Sequence, residues 1–226
     1  MYVVLASKSP RRLELLSEIV PLDRIRVIPP KSAAEAGFEG LETLPAIEQR
    51  LLEIVRDKRD DVLARIRDEE DHAALRCHLG IVVAADTVVV VPHEAGATNG
   101  EAGFLVLGQP PAGHGAEKVV KRWFKDYYMG RTHSVLTGFS VTTSDGETNE
   151  RIVKSEVTFG EFDDEWIDWY IGTGEPMGKA GGYAIQGLGN VLIQKIEGSF
   201  TSVIGLPMRE LMEVIRERGV DVLRTD

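Results

Sequence analysis

The stretch that decides the fold is the N-terminal Met1-Tyr-Val-Val-Leu-Ala-Ser-Lys-Ser-Pro-Arg-Arg12. Its apolar, β-branched residues 2–5 predict a short buried strand. Ser9 and Pro10 are typical of a helix start, because Ser can cap the free N–H groups and Pro has none to lose. A strand followed by a loop and a helix N-terminus presents free N–H groups to an anion. The stretch therefore predicts a strand–loop–helix unit with a phosphate site at its turn; an ordinary capped helix with solvated arginines is the alternative.

Side chains at the same turn strengthen the anion-site hypothesis. Two hydroxyls and two adjacent guanidinium groups can all donate hydrogen bonds to a phosphate. The candidate residues are Ser7, Ser9, Arg11 and Arg12.

Composition limits the function classes. The chain has 226 residues, of which 43% are hydrophobic and 27% charged, as is usual for a soluble globular protein. Its net charge of −10 argues against a general nucleic-acid or membrane-surface binder, so a polyanionic ligand needs a local basic cluster or a metal. One cysteine, Cys77, excludes an intramolecular disulfide, and the N-terminus lacks a secretory-signal pattern. We expect a cytoplasmic protein.

Asp86 is the most informative single residue. It lies with Thr87 inside the apolar run Ile81–Val91, which predicts a strand covered on both faces and is too short to span a bilayer. A carboxylate in such a run is costly unless it is paired, hydrogen-bonded or bound to a metal. Asp86 is therefore a candidate site residue; an Asp that ties down a turn at a strand break is the alternative.

Lys58 lies beside the apolar stripe of a long amphipathic helix predicted over Ile47–Ile66. Its side chain either lays its stem on the core and reaches water, or points its cation into a cleft. The preceding Gly-containing segment Lys31–Leu44 predicts a loop that carries acids, among them Glu35 and Glu39.

The rest of the chain continues an α/β pattern. A Gly-rich loop over 175–189 lets backbone approach a ligand closely and carries Lys179, Tyr183 and Gln186. Glycine-rich, poorly patterned residues 92–103 predict an irregular insertion between two strands. Other segments predict a hairpin (134–143 with 151–160), a strand (189–196), a turn-rich loop (197–205) and helices (115–128, 163–172 and 207–219).

Taken in chain order, five motifs resemble the Maf family of nucleoside triphosphate pyrophosphatases. They cover the chain nearly end to end. They are Leu5-Ala-Ser-Lys-Ser-Pro-Arg-Arg12, Ala85-Asp-Thr87, Gly130-Arg-Thr-His-Ser-Val-Leu-Thr137, Glu175-Pro-Met-Gly-Lys-Ala-Gly-Gly-Tyr-Ala-Ile-Gln-Gly187 and Gly205-Leu-Pro207.

The resemblance implies a single Maf-like domain over residues 1–226, with an α/β fold similar to the inosine triphosphate pyrophosphatases. Its mixed twisted sheet with flanking helices would form two lobes around a deep cleft. The implied reaction is hydrolysis of a nucleoside triphosphate, dTTP or UTP by preference, to the monophosphate and pyrophosphate. The implied cofactor is a divalent metal, Mg²⁺ with Mn²⁺ as the alternative. The implied partners are the small-molecule nucleotide and a second copy in a homodimer, with no nucleic acid and no membrane.

Carried over by position, the resemblance also assigns roles. Asp86 would be the catalytic acidic residue and a metal ligand, with Lys58 beside it, and Glu35 a second metal ligand in competition with Glu39. The substrate-binding residues would be Ser7, Ser9, Arg11, Arg12, Thr87, Lys179 and Gln186, of which Arg12, Thr87 and Gln186 set specificity. General chemistry agrees with this set, because the reaction needs a positioned water, a carboxylate and cations on the developing pyrophosphate.

Three departures from the family pattern keep other functions open. Gln109 and Gly178 stand where the family commonly has Lys and Asp, and Phe200 stands where it has Tyr. One alternative is a pyrophosphatase for non-standard purine or 7-methylguanine nucleotides. The other is a low-turnover nucleotide-binding regulator of septum formation or cell division.

Overall fold

The computed structural model describes residues 1–31, 37–98, 101–113 and 115–221, with backbone alone at 94–98 and 101–102. The strands are β1 (Tyr2–Ala6), β2 (Ile25–Val27), β3 (Leu79–Thr98), β4 (Glu101–Leu107), β5 (Thr132–Thr143), β6 (Thr148–Phe159) and β7 (Ile193–Glu197). The α-helices are α1 (Pro10–Ile19), α2 (Leu44–Asp68), α3 (Ala73–Arg76), α4 (Ala116–Trp123), α5 (Asp164–Gly172), α6 (Phe200–Ile204) and α7 (Met208–Glu217). A π-helical turn (Phe124–Tyr128) extends α4, and short 3₁₀ turns span Leu22–Arg24, Glu70–His72, Ala180–Gly182 and Leu188–Leu192.

The described residues form one mixed seven-stranded sheet, in the order β2-β1-β3-β5-β6-β7 with β4 also paired to β3. β1 is parallel to β2 and to β3, whereas the other pairings are antiparallel. The predicted α/β class with a mixed sheet and flanking helices is confirmed. Its division into two lobes remains a prediction.

Helices cover both faces of β3, as the apolar run Ile81–Val91 predicts. Because side chains alternate along a strand, odd- and even-numbered residues of β3 belong to different cores. Val82, Ala84, Val88 and Val90 pack with residues of α2, whereas Ile81, Val83, Ala85, Val89 and Val91 share a core with α1 and α7. Asp86 interrupts the first series and Thr87 the second, so the two side chains lie on opposite faces of the sheet.

A gap in the strand pairing exposes Asp86 and Thr87 on one edge of β3. β1 pairs with β3 only as far as Ala84, and β4 pairs with it from Val89 onward. β5 occupies the other edge throughout 81–90. Within the described part of the chain, residues 85–88 therefore have no strand partner on the β1 side, because β1 ends at Ala6 where the chain turns into α1.

Helix α2 confirms the long amphipathic helix predicted around Lys58. Its buried residues recur at helical spacing, and the Thr43 side chain caps it by accepting a hydrogen bond from the Ala46 N–H. The other face of α2 is charged. None of the helices that the structure describes is both long and apolar enough to cross a membrane.

Three predictions about irregular segments were wrong. Residues 92–98 and 101–103 continue β3 and β4, because the two strands pair with each other beyond Pro92. The predicted strand over 189–196 begins only at Ile193, since the Glu175 carboxylate accepts hydrogen bonds from the Leu188 and Gly189 N–H groups and holds a 3₁₀ turn there. The predicted loop over 197–205 contains α6, which the Ser199 hydroxyl caps.

Candidate active site

A cleft of about 530 Å³ opens at the gap between β1 and β4. The α1 turn, the middle of β3, α2 and the Gly-rich loop all contribute to its walls. Nine of the ten predicted site residues line it, namely Ser7, Ser9, Arg11, Arg12, Lys58, Asp86, Thr87, Lys179 and Gln186.

The tenth predicted residue, Glu35, lies outside the described residues, so its metal-binding role remains a prediction. Its competitor Glu39 lines a separate cavity of about 340 Å³ between the loop before α2 and the β3–β4 hairpin. The structure therefore does not bring Glu39 to the Asp86 cleft.

Asp86 is paired in the way that its burial requires. Lys58 Nζ donates a hydrogen bond of 2.8 Å to Asp86 Oδ1, and Arg12 Nη2 lies 3.7 Å from the same oxygen. The side chains of Lys58 and Asp86 are only 13% and 15% exposed, so the Lys58 cation points into the cleft rather than reaching bulk water. Asp86 Oδ2 accepts no hydrogen bond from any residue that the structure describes, which leaves this oxygen available to a ligand.

Arg12 connects three distant motifs. Its Nε donates to the Gly205 carbonyl at 2.8 Å, Nη1 to Ser7 Oγ at 3.1 Å and Nη2 to Thr87 Oγ1 at 3.3 Å. Arg12 is buried although it stands in the first turn of α1. These contacts fix the α1 turn against β3 and against the loop that follows α6.

The Ser7 hydroxyl has a defined hydrogen-bond polarity. Ser7 Oγ accepts one hydrogen bond from the Ser9 N–H and one from Arg12 Nη1, each at 3.1 Å. A hydroxyl has two lone pairs and one hydrogen, so these contacts use both lone pairs and leave the O–H to donate. Ser7 therefore presents a donor at the cleft, which suits a phosphate oxygen.

The start of α1 also remains available to an anion. Ser9 occupies the predicted N-cap position, but its side chain makes no capping hydrogen bond, so that part of the prediction was wrong. The N–H groups of the first helical turn have no capping side chain and lie at the positive end of the helix dipole. An anionic ligand can satisfy them.

Positive charge dominates the cleft. Among the described residues, its lining carries five cationic side chains and one carboxylate, in a protein whose net charge is −10. Sequence reasoning missed one of the cations, Lys8, although its position between Ser7 and Ser9 was a usable signal. Burial lowers the pKa of Arg11, and Glu14 acts in the opposite direction. A bound anion would compensate the desolvation of the Arg11 guanidinium.

Buried aromatic hydroxyls hold the Gly-rich loop that carries Lys179 and Gln186. Tyr128 donates to the Gly181 carbonyl at 2.7 Å, and the Gly181 N–H donates to the Gly108 carbonyl at 2.9 Å. Gly181 has a φ of +70°, and a Cβ there would lie 2.6 Å from the Tyr128 hydroxyl, so the close approach requires glycine.

A buried His–Tyr pair supports the same loop. His133 Nε2 and the Tyr183 hydroxyl lie 2.7 Å apart, and Tyr183 lines the cleft. Burial lowers the pKa of His133 to about 3, so its imidazole is neutral at physiological pH. His133 therefore acts as a fixed neutral support beneath the cleft.

The carboxylate oxygens of the described cleft suit a metal ion that binds together with an anionic substrate. Among the described residues, no three His, Cys, Asp or Glu side chains are grouped as a metal site, and Asp86 is the acid in the described cleft lining. Mg²⁺ commonly takes one or two carboxylates and completes its shell with substrate phosphates and water. Asp86 Oδ2 provides such a single carboxylate oxygen.

Taken together, the fold and the cleft define an α/β protein built to bind a polyanionic small molecule. The chain belongs to the Maf-like protein family, whose sequence profile matches residues 2–218. This confirms the family resemblance drawn from the five motifs.

Curated relatives span nearly the whole chain, and each of the following is named dTTP/UTP pyrophosphatase. The protein of Syntrophus aciditrophicus is 36% identical over 218 residues, covering 96% of this chain and 90% of its own. That of Anaeromyxobacter dehalogenans is 35% identical (96% and 94% covered), and that of a Shewanella species is 33% identical (97% and 100% covered). A solved Mycobacterium abscessus structure titled nucleoside-triphosphatase / dITP/XTP pyrophosphatase aligns over 97% of this chain and 95% of its own, at 14% identity and a TM-score of 0.33.

Proposed function

We propose that the protein hydrolyses nucleoside triphosphates, with dTTP and UTP preferred, to the nucleoside monophosphate and pyrophosphate. The observation that carries this proposal is Asp86: its Oδ2 has no described hydrogen-bond donor, and the described lining of its cleft includes five cations. The relatives named dTTP/UTP pyrophosphatase support the reaction and the two substrates.

The cationic wall accounts for binding of the triphosphate. The cleft offers several hydrogen-bond donors to the phosphates: the Ser7 O–H, the N–H groups of the first turn of α1, and the side chains of Arg11 and Lys179, which form no ion pair with a described residue. Because these donors are already in place, they need not reorganise in order to stabilise the charge that develops on the leaving pyrophosphate. We assign these groups to the phosphates.

The Asp86 carboxylate accounts for activation of water. Lys58 and Arg12 both contact Oδ1 and thereby fix the orientation of the carboxylate. Oδ2 is then directed to accept a proton from a water that attacks the α-phosphorus. We therefore assign Asp86 as general base and Lys58 as its partner in the catalytic group.

Asp86 would also hold the divalent metal, Mg²⁺ or Mn²⁺, together with substrate phosphates, and Glu35 is the proposed second carboxylate. The bound metal would polarise the phosphoryl oxygens and neutralise part of their charge. This assignment agrees with the donor chemistry at Asp86 Oδ2 described above.

Base preference is assigned to Arg12, Thr87 and Gln186, which all line the cleft. Gln186 is exposed, and its amide can donate and accept at once. Its amide N–H group can therefore donate to the O4 acceptor of uracil or thymine, which lies beside the N3–H donor.

The first test is pyrophosphate release by the wild-type protein with Mg²⁺ from UTP, dTTP, CTP, ATP, GTP and 7-methyl-GTP. We expect UTP and dTTP to give the highest kcat/KM, with monophosphate and pyrophosphate as the products. Preference for methylated GTP would contradict the base assignment and favour the alternative substrate class. Nucleotide binding without release from any of them would contradict the enzyme and leave a nucleotide-binding regulator, which the Gln109 and Gly178 departures in the cleft lining would then explain.

We further propose that the chain acts as one two-lobed domain in a cytoplasmic homodimer. The side chains of Trp166 and Trp169 support a protein interface, because they are 49% and 44% exposed and lie with ring centroids 6.1 Å apart. Light scattering coupled to size-exclusion chromatography gives the mass that checks the dimer, and Trp169→Ser tests this surface.

A further inference from the structure

We propose that Thr137 is a positioning residue that sets base specificity by keeping the Thr87 hydroxyl a hydrogen-bond acceptor. In this state Thr87 binds the imide N3–H of uracil or thymine and disfavours cytosine. The inference rests on the proposed function, since it assumes that the cleft takes a nucleotide. It concerns a residue buried beneath the cleft rather than one lining it.

The hydrogen bonds that link Thr87, Thr137 and Ser202 can run in only one direction. Thr137 Oγ1 lies 2.7 Å from the Ser202 carbonyl oxygen and 2.9 Å from Thr87 Oγ1. A carbonyl oxygen can only accept, so the one hydrogen of the Thr137 hydroxyl is donated to Ser202. The hydrogen between the two threonines must therefore come from Thr87.

The Thr87 hydroxyl is consequently left with acceptor capacity alone. Its hydrogen is donated to Thr137, and one lone pair accepts from Arg12 Nη2 at 3.3 Å. The second lone pair has no donor among the described residues, and Thr87 lines the cleft. Thr137 is fully buried, so water cannot compete for these bonds. A ligand group that meets Thr87 must therefore be a donor, which excludes a phosphate oxygen.

The surroundings of Thr87 suit a planar base. Thr87 shares its face of β3 with Val89, and Val135 is the register partner of Val89 on β5. Both valines line the cleft, as does Ile204 in α6. The charged pair of Lys58 and Asp86 lies on the other face of the strand. The cleft therefore has apolar side chains on the Thr87 face of β3 and the Lys58–Asp86 pair on the other face, with the Arg12 guanidinium in contact with both Thr87 and Asp86.

A fixed acceptor discriminates only against a group whose own polarity is fixed. Ribose hydroxyls can donate or accept, so Thr87 would gain no selectivity from them. N3 of uracil or thymine carries a hydrogen, whereas N3 of cytosine presents a lone pair to the lone pair of Thr87. The exposed amide of Gln186 can rotate to either polarity, so we assign the N3–H to Thr87 rather than to Gln186.

The test compares Thr137→Val with Thr137→Ser. We expect wild type to bind UMP about tenfold more tightly than CMP, as an unpaired polar contact implies. Thr137→Val releases the Thr87 hydrogen to point into the cleft, so we expect the ratio of the two dissociation constants to approach one. Thr137→Ser keeps the hydroxyl and should retain the wild-type ratio. Calorimetry gives the dissociation constants, and kcat/KM for UTP against CTP should change in parallel.

Equal affinity of wild type for UMP and CMP, or an unchanged ratio in folded Thr137→Val, would overturn the inference. If Thr137→Val does not fold, Thr87→Val removes the acceptor itself and should weaken UMP binding with little effect on CMP; an unchanged ratio there overturns the inference as well. Monophosphate binding distinguishes this outcome from failure of the proposed function. An enzyme that releases pyrophosphate while the ratios stay unchanged contradicts only the role of Thr137, whereas selective binding without pyrophosphate release contradicts only the reaction.

Discussion

Two acids, on the strands β3 and β6 that flank β5, pair with cations of the same helix, α2, but only one of them keeps an oxygen available to a ligand. Glu150 on β6 accepts from Arg56 Nε and Nη2 and from Arg59 Nη1 at 2.6–3.1 Å, so that both of its oxygens are engaged. Asp86 on β3 receives Lys58 and Arg12 on Oδ1 and leaves Oδ2 without a described donor. Glu150 therefore fastens α2 to the sheet, whereas Asp86 keeps an oxygen for a ligand.

The surroundings of the two acids differ as well, since Glu150 lies at the outer surface and Asp86 in the cleft. The hydrogen bond from Arg56, assisted by Arg59, lowers the pKa of Glu150 below its usual value of 4.5 despite opposing desolvation. The Asp86 pair faces a cleft, and the Glu150 pair faces the outer surface, where Arg56 is 43% exposed. This difference predicts that removing the charge of Asp86 lowers the catalytic rate, whereas removing the charge of Glu150 lowers the stability of the fold.

The largest effect is expected for Asp86→Asn. The amide cannot accept a proton from water, so we expect kcat for pyrophosphate release from UTP to fall about 10³-fold. Glu150→Gln is the matched control, because it removes an acid that pairs with the same helix but lies outside the cleft; its kcat should equal that of wild type. Retention of most activity by Asp86→Asn would show that another group activates water.

A smaller effect on substrate binding is expected for Lys179→Ala. Lys179 lines the cleft and forms no ion pair with a described residue, so its charge is available to the phosphates. We expect KM for UTP to rise about tenfold, the value of one charge-assisted hydrogen bond. Lys195→Ala, which removes a lysine paired with Glu197 on the surface, should leave KM unchanged. Equal KM values for the two variants would contradict the phosphate role of Lys179.

The smallest effect is expected on stability, in Glu150→Gln. A lowered folded-state pKa stabilises the protein above the unfolded value of 4.5 and loses this contribution as pH falls through the folded value. With partial exposure of the pair, we expect the variant to lose about 1 kcal/mol of unfolding free energy at pH 7 and a smaller amount at about pH 4, below the unfolded value. Urea denaturation at both pH values measures it. A difference that persists unchanged in acid would show that packing, not the charge pair, is responsible.

Local sequence signals predicted the framework that positions the site. The β1 run and the start of α1 follow from β-branched residues and from Pro10, and α2 follows from its apolar spacing. Asp86 was recognisable because an ionised group in an apolar strand requires a partner. These inferences succeeded because periodicity and turn chemistry act over a few residues.

The errors have non-local causes. Glu175, which lies 13 and 14 positions away, holds residues 188–189 in a turn and thereby delays the start of the strand predicted over 189–196. The insertion forms strand because β3 and β4 supply each other with partners, which its composition does not indicate. In both cases the deciding neighbour is distant in the sequence.

The sequence by itself determined which functional groups are available: one carboxylate in a central strand, hydroxyls and guanidinium groups at a helix start, and lysines elsewhere. Only the tertiary structure decided what those groups can do. Ser7 became a donor because it accepts from Arg12. Thr87 became an acceptor because Arg12, 75 residues away, donates to it, and because Thr137, 50 residues away, already donates its own hydrogen to the Ser202 carbonyl. Hydrogen-bond polarity depends on which atoms are already engaged, and that is a property of contacts rather than of residue types.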